Sequence, residues 1–413
     1  MAFPVGPIHI FPYRVLLPLM WLFFLGEVAL RSGKITITYV KGVRAYLRFL
    51  LIWLTYAFFT IVWALDKIAA IREIIFLFMG VSIIFFVVYF LSDEAGLWNL
   101  YKLWILLLII LLPVALWEIS TGNHLRASGL YEYQPRKALD IYAKFMPSTV
   151  FRNPNDFATF LTLSIPFVFT WMRYAKKTIM RIAALGVLFI TLYVLLMTYS
   201  RTNYIAIILE FAFFFLIILR IKDKARFAVS LGFLGLFFVA VKPGIIERVL
   251  GLFVGQMTSL TSPYSLYSGS VFIRVNLIRN SLVFLLKTCG FGVGAGNAEY
   301  WMEHFSVYNT QGILNVHNWW IEIMVNFGLW IFVGYILFYM GLVRNIYRAY
   351  RLSCNNLHDR IICETLLLSL IGFFAASISS SSIMTLRPQW FLFAFALAFL
   401  NYSRNKASVR SLK

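Results

Sequence analysis

The stretch that decides the fold runs from Val316 to Gly341 and reads VHNWWIEIMVNFGLWIFVGYILFYMG. Behind its His317-Asn318 pair the run is predominantly apolar and longer than the roughly 20 residues that a helix needs to cross a bilayer. Ionisable groups at such a boundary are costly, and those that are kept there tend to be functional. The stretch therefore predicts a membrane helix with a candidate site at its beginning.

The rest of the chain repeats this apolar pattern. Of its 413 residues, 61% are hydrophobic and only 13% are charged, whereas a soluble domain has roughly 25% charged residues. We expect an all-α polytopic membrane protein that forms a single membrane domain over residues 1–413. The eleven candidate spans are 12–30, 45–65, 72–91, 98–118, 155–172, 179–199, 202–220, 227–242, 318–341, 362–384 and 387–402. A missing upstream helix or a split early span would make twelve.

The formal net charge of +20 is carried by short clusters between the apolar runs. Such clusters are typical of cytoplasmic loops, and no basic–aromatic platform for nucleic acid accompanies them. If the spans alternate, all the clusters lie on one side, which predicts that His317 faces the outside. The clusters lie within 31–48, 173–181, 220–226, 344–360 and 404–413.

Residues 243–317 are too many for a simple connection and predict a large extracytoplasmic loop. Within it, 244–256 and 270–288 have the apolar spacing of short amphipathic helices. The glycine-rich run 290–296 follows no strand and precedes no Walker lysine, so a nucleotide site is not indicated. We interpret the run as a tight turn or as a close backbone approach to substrate.

His317 is the candidate catalytic residue, because an imidazole can accept a proton near neutral pH. The alternative is an interfacial histidine that caps the helix or bonds a carbonyl group. Asn318 is equally well explained as a helix N-cap and as a substrate contact. Glu322 does not share a helix face with His317, so a His–Glu dyad is not indicated.

Four arginines are candidates for binding an anion, because the planar guanidinium fork fits phosphate oxygens. Arg201 lies between two apolar runs, where it either snorkels or binds an anion. Arg274 and Arg279 lie on the second loop helix, point in different directions, and could equally contact solvent or lipid headgroups. Arg152 stands next to Asn153-Pro154, directly before a predicted span. Capping of that helix is the alternative to a phosphate contact in this segment.

The sequence contains no metal or cofactor motif. Cys289, Cys354 and Cys363 show neither a pairing pattern nor zinc-ligand spacing, and HExxH, EF-hand, GxSxG and Asp-x-Asp motifs are absent. We expect no cofactor and no metal.

These features, in this order, resemble the O-antigen ligase/polymerase superfamily over roughly residues 120–400. The resemblance rests on the His317-Asn318 pair with Gly328 after nine further residues, on Arg201 in a Tyr-Ser-Arg turn, and on Arg274 followed by a Gly-x-Gly turn. The Asn-Pro-Asn-Asp-Phe-Ala stretch 153–158 is similar to the branch with teichuronic acid and exopolysaccharide polymerases. Two positions depart from the pattern of the ligases. Ile331 stands where a second glycine often follows the first by three residues, and Ile278 stands where an aromatic residue commonly follows the loop arginine by four. Both bear on the choice between ligase and polymerase.

The resemblance implies a metal-independent, inverting glycosyltransferase of the multi-span, lipid-phosphate-dependent (GT-C-like) type. It would transfer a glycan from undecaprenyl diphosphate to an acceptor sugar hydroxyl at the outer face of the bacterial inner (cytoplasmic) membrane. A polysaccharide polymerase is favoured; the alternatives are an O-antigen ligase acting on lipid A core or another anchor, and a lipid-linked sugar transporter.

The resemblance also assigns roles to the candidate residues. His317 would be catalytic, Arg201 and Arg274 would bind the diphosphate, and Arg152, Asn318 and Arg279 are candidate substrate contacts. The implied partners are the lipid-linked glycan, the acceptor glycan and the bilayer, with chain-length regulator proteins as a further candidate and no nucleic acid.

Overall fold

The computed structural model describes residues 3–5, 8–10, 12–30, 37–131, 143–219, 270–352, 356–378, 380 and 383–410. Within these ranges the protein is built from α-helices, apart from a hairpin that pairs strands β1 (Phe3–Val5) and β2 (Ile8–Ile10). The helices are α1 Pro12–Leu30, α2 Arg44–Phe59, α3 Lys67–Phe90, α4 Glu94–Thr121, α5 Pro154–Tyr174, α6 Thr178–Met197, α7 Arg201–Phe213, α8 Ser270–Lys287, α9 Ala298–Phe305, α10 Trp319–Leu352, α11 Leu357–Ala376 and α12 Arg387–Arg410. Short 3₁₀ segments lie at Ile37–Val43, Thr60–Val62 and Ile383–Thr385, and a π-helical turn at Phe214–Ile218 extends α7.

Short polar side chains set the first residues of several helices. Asp66 accepts a hydrogen bond from Ala69 N (2.9 Å), Asp93 from Gly96 N (2.8 Å) and Asn153 from Asp156 N (2.9 Å). Each bond satisfies an amide that the first turn leaves without a partner. Pro154 then occupies the first position of α5, where its missing N–H costs nothing.

Three helices form the centre of the bundle. Every residue of α5 from Asp156 to Thr170 is buried, and α11 and α12 are buried along most of their length. The surrounding helices bury one face and expose large apolar side chains on the other, including Leu106, Ile110 and Leu337. This arrangement suits a bundle that packs internally and faces lipid outwards.

Six helical segments in the described part of the chain are long and apolar enough to cross a membrane: Val40–Val62, Lys67–Phe90, Glu94–Thr121, Thr178–Met197, Arg201–Ile218 and Trp319–Leu352. The protein is therefore a multi-pass membrane protein, and the predicted all-α polytopic fold is confirmed. Ten of the eleven predicted spans coincide with helices. The predicted span 227–242, the predicted loop helix 244–256 and the first part of the loop 243–317 lie outside the described residues, and the single domain over 1–413 stays a prediction.

Some predicted helix ends were wrong. The span 362–384 ends already at Ala376, because Ser377 O and Oγ accept hydrogen bonds from Trp319 N (3.0 Å) and Trp320 Nε1 (3.0 Å) instead of continuing the helix. The span 318–341 continues to Leu352, well beyond its apolar part. The loop helix predicted at 270–288 is α8.

The chain alternates between two ends of the bundle. The beginnings of α3, α5, α7, α10 and α12 lie at one end, together with the last residues of α2, α4, α6 and α11. We call it the His317 end. Contacts that join these segments include Trp319 with Ser377 and Ala295 N with Thr60 Oγ1 (3.0 Å).

Candidate functional site

The helix α10 is interrupted at Gly328, whose backbone angles (φ 80°, ψ 178°) are not helical. The glycine-rich run binds the groups that this interruption frees. Val293 N donates to Val325 O (2.8 Å), Gly294 N donates to Asn326 O (3.1 Å), and Leu329 N donates to Gly290 O (2.9 Å). The interruption therefore separates a short first part of α10, which follows His317, from the long part that crosses the membrane.

The glycines are required because the two backbones touch. A Cβ atom on Gly292 would lie 2.5 Å from Gly328 N, and one on Gly294 would lie 2.9 Å from Ala64 Cβ. Both glycines have positive φ, which side chains disfavour. The run approaches the protein's own backbone closely, whereas its approach to a substrate stays a prediction.

Two asparagines fasten the residues that follow the run. Asn297 Oδ1 accepts from Asp66 N (2.7 Å), and Asn297 Nδ2 donates to Asp66 O (3.0 Å). Asn326 Oδ1 accepts from Ala298 N (2.9 Å), the first residue of α9. These bonds hold α9 against α3 and α10, and they fix the position of Glu299 in the first turn of α9.

His317 lies directly before α10 with a left-handed backbone (φ 50°). Its N–H donates to Asn315 Oδ1 (2.9 Å), and Asn315 Nδ2 donates to Glu299 Oε1 (2.9 Å). The Nδ1 atom is shielded from solvent and has no hydrogen-bond partner among the described residues. The His317 backbone is thus held in place by Asn315, while Nδ1 of the ring is left without a partner among the described residues.

The surroundings of His317 favour the neutral imidazole. Burial lowers the pKa of His317, and the positive charge of Arg274 lowers it further, while the negative charge of Glu299 opposes them. At neutral pH the ring can therefore accept a proton. A proton acceptor next to a cation is the electrostatic arrangement that general-base catalysis beside an anionic leaving group needs.

Arg201 and Arg274 come together from separate parts of the chain. Arg201 is the first residue of α7 and is exposed. Arg274 is half-buried on α8, where burial and then the Arg201 charge lower its pKa. The two like charges repel each other, an anion bound with them would relieve the repulsion, and the beginning of a helix adds further positive potential.

Glu299, which is joined to His317 through Asn315, belongs to a set of carboxyl groups from three helices that the sequence alone does not bring together. Glu73 on α3, Glu299 on α9 and Glu322 on α10 interact electrostatically with one another. The signal in the sequence was the presence of Glu73 and Glu322 inside apolar runs, which is rare without a function. The helical spacing bears only on a pairing of Glu322 with His317, and no sequence motif marks Glu73 or Glu299.

The remaining candidates lie elsewhere or have structural partners. The Arg279 guanidinium lies 5.6 Å from the centre of the Tyr308 ring, away from Arg274. Asn318 Oδ1 accepts from Trp320 N (3.1 Å) and caps α10. Arg152 is exposed before α5. The roles of these residues as substrate contacts stay predictions, and in the described ranges no three or more His, Cys, Asp or Glu side chains form a group that could hold a metal ion.

The fold and this site define a polytopic membrane protein that presents an imidazole and two guanidinium groups at one end of its bundle. A family described as O-antigen ligase matches residues 160–339. The teichuronic acid biosynthesis protein TuaE of Bacillus subtilis (strain 168) is 31% identical to this chain over 366 residues, which are 88% of this chain and 72% of that protein. The chain belongs to the O-antigen ligase/polymerase superfamily, as its sequence motifs indicated. It is therefore a membrane glycosyltransferase-like ligase or polymerase of polysaccharide biosynthesis.

Proposed function

We propose that this protein is a polysaccharide polymerase that transfers a glycan from undecaprenyl diphosphate to an acceptor sugar hydroxyl. The observation that carries the proposal is the meeting of Arg201, Arg274 and His317 at one end of the bundle. The positive-inside pattern of the loops supports assigning this end to the outer face of the cytoplasmic membrane.

In the proposed reaction, Arg201 and Arg274 bind the donor diphosphate. They stabilise the negative charge that develops as the bond from the anomeric carbon to the diphosphate oxygen breaks. In this proposal the arginines, and not a metal ion, supply the positive charge. Each such preorganised interaction typically contributes about 3–4 kcal/mol to the transition state.

His317 acts as the general base. It takes the proton of the acceptor hydroxyl while the acceptor oxygen forms its bond to the anomeric carbon. The electron pair of the broken bond leaves with undecaprenyl diphosphate, and the single displacement inverts the anomeric centre. General-base catalysis typically contributes about 10²–10⁴-fold in rate.

Purified protein in liposomes, supplied with undecaprenyl-diphosphate-linked repeat units, tests the proposal. A ladder of longer lipid-linked glycans that disappears in His317→Ala is expected. The relationship to a teichuronic acid biosynthesis protein supports chain building. A ladder made equally well by His317→Ala would remove His317 from the chemistry.

The ligase reaction is the second candidate, because the matching family is described as O-antigen ligase. It predicts no ladder and transfer of the glycan to a separate anchor, such as lipid A core, when that acceptor is added. A transporter of lipid-linked sugars, the third candidate, predicts movement of the donor across the bilayer without any new glycosidic bond.

A further inference from the structure

Charge is divided unevenly around His317. Arg201 and Arg274 approach from α7 and α8, whereas Glu73, Glu299 and Glu322 approach from α3, α9 and α10. The His317 imidazole feels both sets, because Arg274 and Glu299 act on its pKa in opposite directions. The protein carries only 17 Asp and Glu against 37 Lys and Arg, so three carboxyl groups at one place are a marked local departure.

Among the described residues, Glu299 Oε1 has a hydrogen-bond partner in Asn315 Nδ2, whereas oxygens of the other two carboxyl groups have none. Glu73 Oε1 and Glu322 Oε2 are shielded from solvent and have no hydrogen-bond partner among the described residues. No lysine or arginine in the described ranges forms an ion pair with any of the three. A shielded carboxyl oxygen without a partner is costly, which indicates that a bound molecule supplies the missing donor.

Helix capping does not explain them either. The caps of α3 and α10 are Asp66 and Asn318. Glu73 lies in the second turn of α3, beyond the turn where the helix dipole favours a negative charge. Asp156, a fourth carboxylate in the same field, accepts a hydrogen bond from Asn153 Nδ2 (2.9 Å) and belongs to the cap of α5.

We propose that Glu73, Glu299 and Glu322 form the acceptor subsite, in which their carboxyl oxygens accept hydrogen bonds from the hydroxyl groups of the acceptor sugar. This inference rests on the proposed glycosyl transfer. Carboxyl oxygens that lack a donor inside the protein suit a ligand rich in hydroxyl donors, which a phosphate group is not. The subsite therefore takes the polyhydroxylated acceptor and leaves the donor diphosphate to the arginines.

The geometry agrees with such a role. Glu299 is joined to His317 through Asn315, and Glu322 lies in the first turn of α10, five residues after His317. Glu73 lies against the glycine-rich run, since a Cβ on Gly296 would come within 3.0 Å of Glu73 Cβ. An acceptor held by these groups presents a hydroxyl next to the base, and neighbouring hydroxyls reach the carboxyl oxygens.

Kinetics with each substrate varied in turn test the subsite in reconstituted protein. Glu73→Gln and Glu322→Gln keep the shape but replace one carboxyl oxygen by an amide NH₂ group, which cannot accept a hydrogen bond. Each is expected to raise the acceptor KM about tenfold, since a shielded hydrogen bond to the acceptor is lost, and to leave the donor KM within about twofold. Glu94→Gln, at the opposite end of the bundle where the Glu94 side chain is exposed, is the control and should change neither KM. Equal effects on both KM values, or no effect on the acceptor KM, would overturn the subsite.

A binding measurement separates this inference from the proposed reaction. The repeat-unit oligosaccharide, released from its lipid carrier, serves as the acceptor probe in saturation-transfer NMR, and inorganic pyrophosphate serves as the probe of the arginines. We expect the Glu→Gln variants to lose the oligosaccharide signal and to bind pyrophosphate as the wild type does. If this pattern holds in a protein that transfers no glycan, the proposed reaction fails and the subsite stands. If glycan transfer proceeds while the variants bind the oligosaccharide normally, the subsite fails and the reaction stands.

Discussion

Asn315 holds His317 in a conformation that histidine rarely adopts. The His317 N–H donates to Asn315 Oδ1 at 2.9 Å, and the histidine backbone has a φ of 50°. A short polar side chain that bonds the amide two residues further on is a common way to stabilise such a turn. The direction of the imidazole is therefore set by its backbone, which leaves the ring free for the substrate.

Asn315→Ala is expected to lower kcat about tenfold with little change in either KM, because the ring would spend much of its time out of position. The same variant should leave the protein folded. Asn309→Ala is the matched control, since Asn309 makes the same bond to Gln311 N (2.8 Å), which also has positive φ. A loss of activity as large in Asn309→Ala would show that general destabilisation of the loop is responsible.

Glu299→Gln is expected to shift the pH dependence of kcat toward lower pH. The negative charge of Glu299 raises the pKa of His317, so its removal lowers that pKa. The acid limb of the profile, where His317 is protonated and can no longer accept a proton, then moves down with it. Glu299→Asp, which keeps a negative charge, should shift the acid limb less than Glu299→Gln does.

The shift can also be measured without turnover. The chain has five histidines, so histidine-labelled protein gives a small number of NMR signals, and His317→Ala assigns the one of interest. A titration midpoint for His317 that is the same in Glu299→Gln and wild type would contradict the prediction.

Arg201→Gln and Arg274→Gln are each expected to raise the donor KM and lower kcat, with a loss in kcat/KM of about a hundredfold, because a charge-assisted contact to phosphate is removed. Lysine at either position should restore only part of the lost kcat/KM, since an ammonium group lacks the bidentate fork of the guanidinium group. Lys287→Gln serves as the control because Lys287 is exposed at the last residue of α8. Donor kinetics of Arg201→Gln that match those of Lys287→Gln would contradict a diphosphate site.

Gly292→Ala is expected to destabilise the protein by about 2–4 kcal/mol, because the new Cβ adds a clash with the Gly328 backbone to the cost of positive φ. Gly312→Ala carries only the second cost, since a Cβ there meets nothing within 4 Å, and should lose about 1 kcal/mol. Thermal unfolding in detergent measures both. Equal losses of stability in the two variants would show that the close approach of Gly292 to Gly328 does not contribute to the free energy of unfolding.

Glu210→Leu is expected to keep or raise thermal stability, by up to about 3 kcal/mol, because both carboxyl oxygens of Glu210 are buried without a hydrogen-bond partner in the described part of the structure. A cavity of about 10 Å³ beside it has room for roughly one water molecule. A clear loss of stability in Glu210→Leu would show that the carboxyl group has a polar partner such as that water.

Gly372→Ala should be destabilising on its own, since its Cβ would clash with the Glu210 carboxyl group, and Glu210→Ala should relieve the clash.

Most helices could be predicted from sequence because each depends on a local apolar run. The caps at Asn153 and Asn318 could be anticipated as well, since a cap is defined by a few neighbouring residues. The divergence of Arg274 and Arg279 followed from their spacing on one helix. These features depend on residues close together in the chain.

The parts that could not be predicted depend on contacts between distant residues. The glycine-rich run was recognised as a close-approach element, but nothing near it in sequence indicates that its partner is Gly328. The convergence of Glu73, Glu299 and Glu322 requires knowing how α3, α9 and α10 pack. The end of α11 at Ala376 likewise depends on Trp319 and Trp320, which precede it by more than 50 positions.

The seam between residues 290–296 and the interruption of α10 is made largely of main-chain atoms. Main-chain hydrogen bonds and glycine contacts carry little information about which side chains surround them. The loop that bears His317, Glu299 and Arg274 is therefore joined to the bundle by main-chain contacts that a different loop sequence could also make. Related proteins that keep the glycines could diverge in their choice of sugar by changing the loop alone, and a chimaera that swaps residues 270–327 between relatives should fold on the recipient's bundle while taking the donor's substrate preference.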